Sequence, residues 1–269
     1  MEPRRKGSAT EVFYYLNSLV KHRQKSVEND WQSYVLPHSN IESLAPNLWH
    51  VTGTLPNPML PPREMVIFKL ADGDLLIHSA IALDSETMTN LESLGTPKIL
   101  VVPNRIHRLD AVVYKQRYPK LLVVCPSAAL PYVEEVVSVD RLAEEVLPNY
   151  GIVCHDPAGI RPQELVYELP LSPGKALVFT DILFNLTESY LQQYAPKSKL
   201  VLQWIGTGGF FGITELGKRF FMSDRKAYRQ WLEELATNTS DLHVICVAHG
   251  SPILTNCKQK LYEAAARLL

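Results

Sequence analysis

The sequence predicts an α/β protein in which two sheets pack face to face between helical layers, and three observations carry that prediction. Apolar runs of strand length alternate with helically spaced segments along the 269 residues. Two hairpin signals occur, each within a half that continues into further strand and helix signals. The composition, 46% hydrophobic and 20% charged, is that of a globular chain able to bury a large core.

Residues 1–40 read as a helical extension ahead of a compact domain spanning 41–269. Within the extension, residues 8–35 have helical spacing from a Ser8 or Thr10 cap, with Val12, Leu16, Leu19 and Val20 on one face. That stripe needs covering, by the main domain or by a partner. LPHSNIESLAPNL reads as the connecting loop. NLWHVTG, EMVIFKL and DLLIHSAIAL read as strands, the last two joined by Asp72-Gly73, whose residues both tolerate positive φ. SETMTNLESLG reads as a helix capped by Ser85 and stopped by Gly95, and KILVV as a buried strand. A helix over Arg108–Arg117, the strand LLVVC, a helix over 133–147 and the strand IVCHD follow. ELVYEL and KALVFTDILF form the second hairpin, turned by Ser172-Pro173-Gly174-Lys175. Residues 188–234 read as mainly helical, interrupted by WIGTGGFFG, which serves as a mobile lid or as a plain connector. The strand HVICVA, the turn HGSPI and a helix to Leu269 complete the chain.

Charge excludes some functions. With 27 basic and 28 acidic residues the formal net charge is -1, so no global field draws the chain to nucleic acid or an anionic membrane. The expected partner is a small-molecule substrate. Cys125, Cys154, Cys246 and Cys257 form no CxxC pair; the first three lie in apolar runs and read as small reduced hydrophobes. The start, MEPRRKGSATEVFYY, lacks a signal-peptide apolar core, and Glu2 and Glu11 count against an organelle transit peptide. A cytoplasmic protein is the expectation.

Candidate chemistry sits at strand ends, where a rigid scaffold presents reactive groups. Asn104 and His107 follow KILVV, His155 follows IVC, Asp181 follows ALVFT and His249 follows HVICVA. Histidine nitrogen and carboxylate oxygen are donors that zinc, iron or manganese accept. The bland alternative is polar strand ends bonded to nearby backbone. His78 reads as a supporting or structural histidine. Arg105 and Arg108 read as a solvated loop edge or as contacts to an anionic substrate. His22, His38, His50 and His243 read as surface or edge residues.

The segments LLIHSAIAL, LVVPNRIHRLDAVVYKQRYPKLLVVCP, LVFTDILFN and VAHGSPI, in that order, resemble the metallo-β-lactamase superfamily, and more narrowly its divergent DUF4336 branch. The resemblance spans residues 45–265 and implies a four-layer αββα sandwich. Active members carry HxHxDH after the strand corresponding to KILVV. Aligned on Tyr118-Pro119, His107 takes the last histidine of that motif, while Val102, Asn104 and Ile106 stand where two histidines and the aspartate would be. An alternative alignment puts His107 on the second histidine and Asp110 on the last, shortening the following helix by a turn.

By the same resemblance, His155 matches the histidine before the second hairpin, Asp181 the metal-bridging aspartate and His249 the final histidine. The implied ligand set is His107, Asp181 and His249, with Asn104 as a weak ligand or polar support. His155 is implied as auxiliary ligand or proton carrier, and Asp181 also as the group orienting a water. Either alignment leaves one metal at most, zinc or iron; in the first, Val102 and Ile106 cannot ligate. The resemblance thus implies a mononuclear metal-dependent hydrolase of a small ester- or thioester-like substrate. Hydrolysis of β-lactams, glyoxalase-type thioesters and phosphodiesters is expected to be weak or absent, since half the electrostatic stabilisation of an oxyanion is gone. The alternative is a non-catalytic binding or scaffold protein that has lost the dinuclear site and needs no metal.

Overall fold

A computed structural model describes residues 31–204 and 208–269. One sheet contains β1 (Glu42–Ala45), β2 (Leu48–Gly53), β3 (Arg63–Lys69), β4 (Leu75–His78), β5 (Pro97–Val101), β6 (Leu122–Cys125) and β7 (Arg141–Leu142), side by side in chain order. Strands β1 to β4 meander antiparallel, and β4 to β7 are parallel. Parallel neighbours need crossover connections. Helices α1 (Ser85–Leu94) and α2 (Ala111–Arg117) supply the first two, and α3 (Leu130–Val133) lies on the third, before β7 and α4 (Ala143–Val146).

The second sheet is ordered β13-β10-β9-β8, made of β8 (Val153–His155), β9 (Val166–Pro170), β10 (Lys175–Phe179) and β13 (Leu242–Val247). A separate ribbon pairs β11 (Phe184–Asn185) with β12 (Phe211–Gly212). Helices α5 (Glu188–Tyr194), α6 (Lys199–Trp204), α7 (Glu215–Phe220) and α8 (Arg225–Asn238) lie between β11 and β13, and α9 (Cys257–Ala266) follows the last strand.

The two-residue period of a strand sends alternate side chains into different cores. In β3, Met65 and Ile67 join Leu91 of α1 and Tyr114 of α2, while Val66 and Phe68 join Tyr167, Val178 and Cys246 between the sheets. In β10, Leu177 and Phe179 face the other way, onto Leu232 of α8 and Leu261 of α9. Three apolar cores therefore separate helix, sheet, sheet and helix, which is the αββα sandwich. Each fully buried Leu, Ile or Phe in them contributes about 1.5–3 kcal/mol of transfer free energy.

Both expected hairpins form. Asp72-Gly73 turns β3 into β4, with Gly73 at φ +91° and the Leu70 N–H donating to Asp74 at 2.8 Å. The Leu171 N–H donates to Gly174 at 2.8 Å to close the second.

Other expectations need correction. β1 lies inside the expected loop; it is an exposed polar edge strand, held by pairing Glu42 with His50 and Ser43 with Trp49, so no apolar alternation marks it. The cap of α1 is Asp84, which accepts from the Thr87 N–H at 2.8 Å, rather than Ser85. Helix α2 begins at Ala111, not Arg108, because the Asp110 carboxylate is bound to Arg63 at 2.5 Å and to the Ala82 N–H at 3.0 Å and makes no cap bond. The helix expected over 133–147 is broken by β7: the Asp140 N–H donates to Val123 and its carboxylate accepts from the Val123 N–H, laying this stretch along β6.

Of the helix expected over residues 8–35, residues 8–30 lie outside the described residues. Trp31–Tyr34 form a 3₁₀ turn, with Trp31 donating to the Leu83 carbonyl at 2.6 Å and Tyr34 buried in the first core. Among the described residues, no helix is long and apolar enough to cross a membrane. All four cysteines are free, Cys257 being buried as well as Cys125 and Cys246.

Candidate metal centre

Three loops, one from the first sheet and two from the second, bring His107, Asp181 and His249 to one point. His107 follows β5, Asp181 follows β10, and His249 follows β13, which is parallel to β10. The His107 Nε2 lies 3.2 Å from the His249 Nε2 and 3.3 Å from the Asp181 Oδ1; the His249 Nε2 is 3.4 Å from that same oxygen. Ligands about 2.0–2.1 Å from a tetrahedral ion stand about 3.3–3.4 Å apart, so this triangle has the dimensions of one face of such a site. Among the described residues, it is here that three His, Cys, Asp or Glu side chains converge closely enough to hold an ion.

Each of the three is held from behind. The His249 Nδ1 donates to the Pro62 carbonyl at 2.7 Å, which leaves its Nε2 lone pair facing the centre, and the Phe184 ring stacks on the imidazole at 4.9 Å. The His107 Nδ1 is 2.9 Å from the Ser79 hydroxyl. Ser79 has φ +58°, a left-handed conformation that costs of order 1–3 kcal/mol in a non-glycine residue. Asn104 organises the loop: its Oδ1 accepts from the N–H groups of Ile106 and His107 at 2.8 and 2.9 Å, and its Nδ2 donates to Asp181 Oδ2 at 2.7 Å.

Glu164 completes the support. Buried just before β9, it accepts from the backbone N–H groups of Thr180, Asp181 and Ile182, and from the Asn104 amide at 3.1 Å. Burial, then the Asp181 charge, push its pKa up to about 8 against those donors. Burial also pulls the His107 pKa below that of a free imidazole, although Asp181 opposes this. For Asp181 burial acts upward, but the charges and hydrogen bonds of His107 and His249 prevail and hold it well below the usual carboxylate range. Ionised carboxylate and readily deprotonated imidazole are the forms that ligate.

The remaining sequence candidates are placed elsewhere. Asn104 is fully buried beside Asp181, but both acceptor positions of its oxygen are used by the loop backbone, so its place is polar support rather than ligation. His155 does not join the group. Strand parity puts Cys154 on the inter-sheet side and His155 on the other, where its Nε2 meets Glu168 at 3.2 Å, a carboxylate also held by Lys175 at 2.6 Å. Asp110, the ligand under the alternative alignment, is committed to Arg63. Val102 is buried in the first core and Ile106 packs against the core of the second sheet.

His38 and His50, expected at surface or edge, are largely enclosed. His50 is 2.9 Å from the buried Glu64, and His38 accepts from the Asp84 N–H. His22 lies outside the described residues. Of WIGTGGFFG, residues 205–207 also lie outside them, while Phe211-Gly212 is tied to Phe184-Asn185 as ribbon strands rather than left loose.

Sequence reasoning missed Ser79, Glu164, Pro62 and Phe184. Glu164 carried one faint signal, an acidic residue immediately before the apolar run LVYEL; the others have none, because each meets its partner only through the fold.

The sequence matches no family model and no curated protein. Among solved structures, the fold is similar to that of the metallo-β-lactamase FIM-1 from Pseudomonas aeruginosa in its mono-zinc form, with a TM-score of 0.59, 11% identity, and 87% of this chain and 97% of that one covered. DIM-1 metallo-β-lactamase is similar at a TM-score of 0.59 and 13% identity, over 87% of this chain and 100% of that one. A metallo-β-lactamase from Erythrobacter litoralis is similar at 0.57 and 12% identity, over 84% and 96%. The chain has the metallo-β-lactamase fold.

Proposed function

We propose that the protein binds one divalent ion, zinc or iron, through His107, Asp181 and His249, and uses it to hydrolyse a small ester- or thioester-like substrate. The 3.2–3.4 Å triangle of two imidazole nitrogens and one carboxylate oxygen carries this reading. Two imidazoles and a carboxylate are an accepted donor set for either metal, with a position left for water or substrate. When bound, the ion supplies a Lewis acid and a source of hydroxide at neutral pH.

The protein's own groups set the geometry. Pro62 and Ser79 fix the two rings, and Asn104 occupies Oδ2 of Asp181, leaving Oδ1 for the centre and for orienting a water. Glu164 holds the backbone from which Asp181 projects. His155 has no part in this proposal, since Glu168 engages its Nε2.

Elemental analysis of purified protein tests it. Wild type should carry close to one ion per chain, and His107→Ala and His249→Ala should each lose it; unchanged content in both variants would sink the proposal. The cluster is nearly enclosed, with side chains 3–8% exposed, and this favours a second reading: a non-catalytic binding or scaffold protein without the dinuclear site. Metal retention without turnover of any member of an ester and thioester panel would select it.

A further inference from the structure

His249 is gripped from two directions, and a buried pair of side chains joins the two grips. From the first sheet, the Pro62 carbonyl accepts from the His249 Nδ1 at 2.7 Å, and the Glu64 N–H donates to the Ala248 carbonyl at 2.9 Å. From the ribbon, the Asn185 N–H donates to the His249 carbonyl at 3.0 Å, its side-chain amide donates to the Ser251 carbonyl at 2.7 Å, and Phe184 stacks on the imidazole. Further along the chain, on α5, Tyr190 donates its hydroxyl to the Glu64 Oε1 at 2.7 Å. These bonds form a closed ring, which runs from Glu64 through Ala248 and His249 to Asn185, along the chain to Tyr190, and back to Glu64. Both of its closing side chains are buried, Glu64 at 1% exposure and Tyr190 at 3%. The second carboxylate oxygen of Glu64, Oε2, is 2.9 Å from the His50 Nδ1 and accepts from the Thr52 hydroxyl at 3.0 Å, so β2 fixes how the carboxylate is turned. A carboxylate this deep is costly to leave unpaired, which makes the Tyr190 hydroxyl a partner that water does not replace.

We propose that Tyr190 and Glu64 are positioning residues for His249, their mutual hydrogen bond setting where its Nε2 stands. Their leverage passes through the backbone: Glu64 fixes residue 248, and α5 fixes the ribbon strand that holds the His249 carbonyl. An imidazole at the end of a strand stays within the tolerance of a ligand geometry only when the groups behind it are themselves locked. The ordering of His249 stands on these bonds alone; only its meaning for an ion rests on the metal reading.

NMR of the full-length, metal-free protein labelled with 15N in its histidines tests the ring. The His249 Nδ1 proton, bonded to Pro62, should exchange slowly with water in the wild type. Tyr190→Phe keeps the aromatic ring and its packing but removes the hydroxyl, and should speed that exchange about tenfold, as the loss of one buried hydrogen bond implies. Thr52→Val removes a bond to the same carboxylate that lies off the ring, so it should lower Tm and leave the His249 exchange as it is. With cobalt as the probe, Tyr190→Phe should bind about tenfold more weakly than the wild type, with a shifted visible absorption band, while Thr52→Val matches the wild type in both. A wild type that takes up no cobalt removes the metal reading, and the exchange rates still decide this one. Equal exchange in the wild type and Tyr190→Phe, or the same acceleration in Thr52→Val, would overturn the proposal.

Discussion

At the scale of single residues, His78 makes a prediction of its own. It ends β4, is 2% exposed, and neither ring nitrogen has a hydrogen-bond partner. Burial, then the neighbouring His107, push its pKa down to about 3. The folded state therefore resists protonating it, whereas the unfolded chain protonates near the ordinary histidine value of about 6.5. Between those values the unfolded state binds more protons, so the stability is present above about pH 6.5 and lost as pH falls toward 3. About 2 kcal/mol should be lost by pH 5, and His78→Phe should remove that share of the slope in denaturant titrations. An identical pH dependence in the variant would refute the assignment. His107, Asp181 and His249 were legible in the sequence because each follows an apolar run and carries a metal-binding side chain. Ser79 and Glu164 were not, because their bonds to His107 and to the Asp181 backbone span 28 and 17 residues respectively.

At the scale of elements, the centre depends on two turns pressed together. Gly250 has φ +118°, and a Cβ there would fall 2.2 Å from the carbonyl carbon and oxygen of Asn185. Asn185 in turn donates its N–H to the His249 carbonyl at 3.0 Å and pairs with Phe211 of β12. Gly250→Ala must displace one turn or the other, at a cost of about 1–3 kcal/mol, and should weaken zinc binding in a competition titration with a chelating dye. Unchanged affinity would show that the turn does not set the ligand. Most strands and both hairpins were legible, since a run of apolar residues beside Asp-Gly or Pro-Gly has few other readings. β1 and the true start of α2 were hidden for one reason: an edge partner and an Arg63–Asp110 pair decide them, and both act across the sheet.

At the scale of the whole molecule, the three candidate ligands come from both sheets, so an ion there would tie together the two halves of the sandwich. Binding to the folded state alone stabilises it, by about 2.7 kcal/mol at a hundredfold excess over Kd. For a chain of this length that raises Tm by roughly 5–10 °C. Zinc should produce such a rise in the wild type and none in His107→Ala; an equal rise in both would place the ion elsewhere. The layered architecture was legible because strand parity and helix spacing repeat along the chain, whereas the enclosure of the centre arises only when the sheets close over each other. The most direct measurement is anomalous X-ray diffraction from crystals of the full-length protein, recorded on either side of the zinc and iron absorption edges. One anomalous peak is predicted, about 2.0–2.1 Å from the His107 Nε2, the His249 Nε2 and the Asp181 Oδ1. A map of metal-supplemented crystals with no peak among those three atoms, or with the peak on other residues, would contradict it.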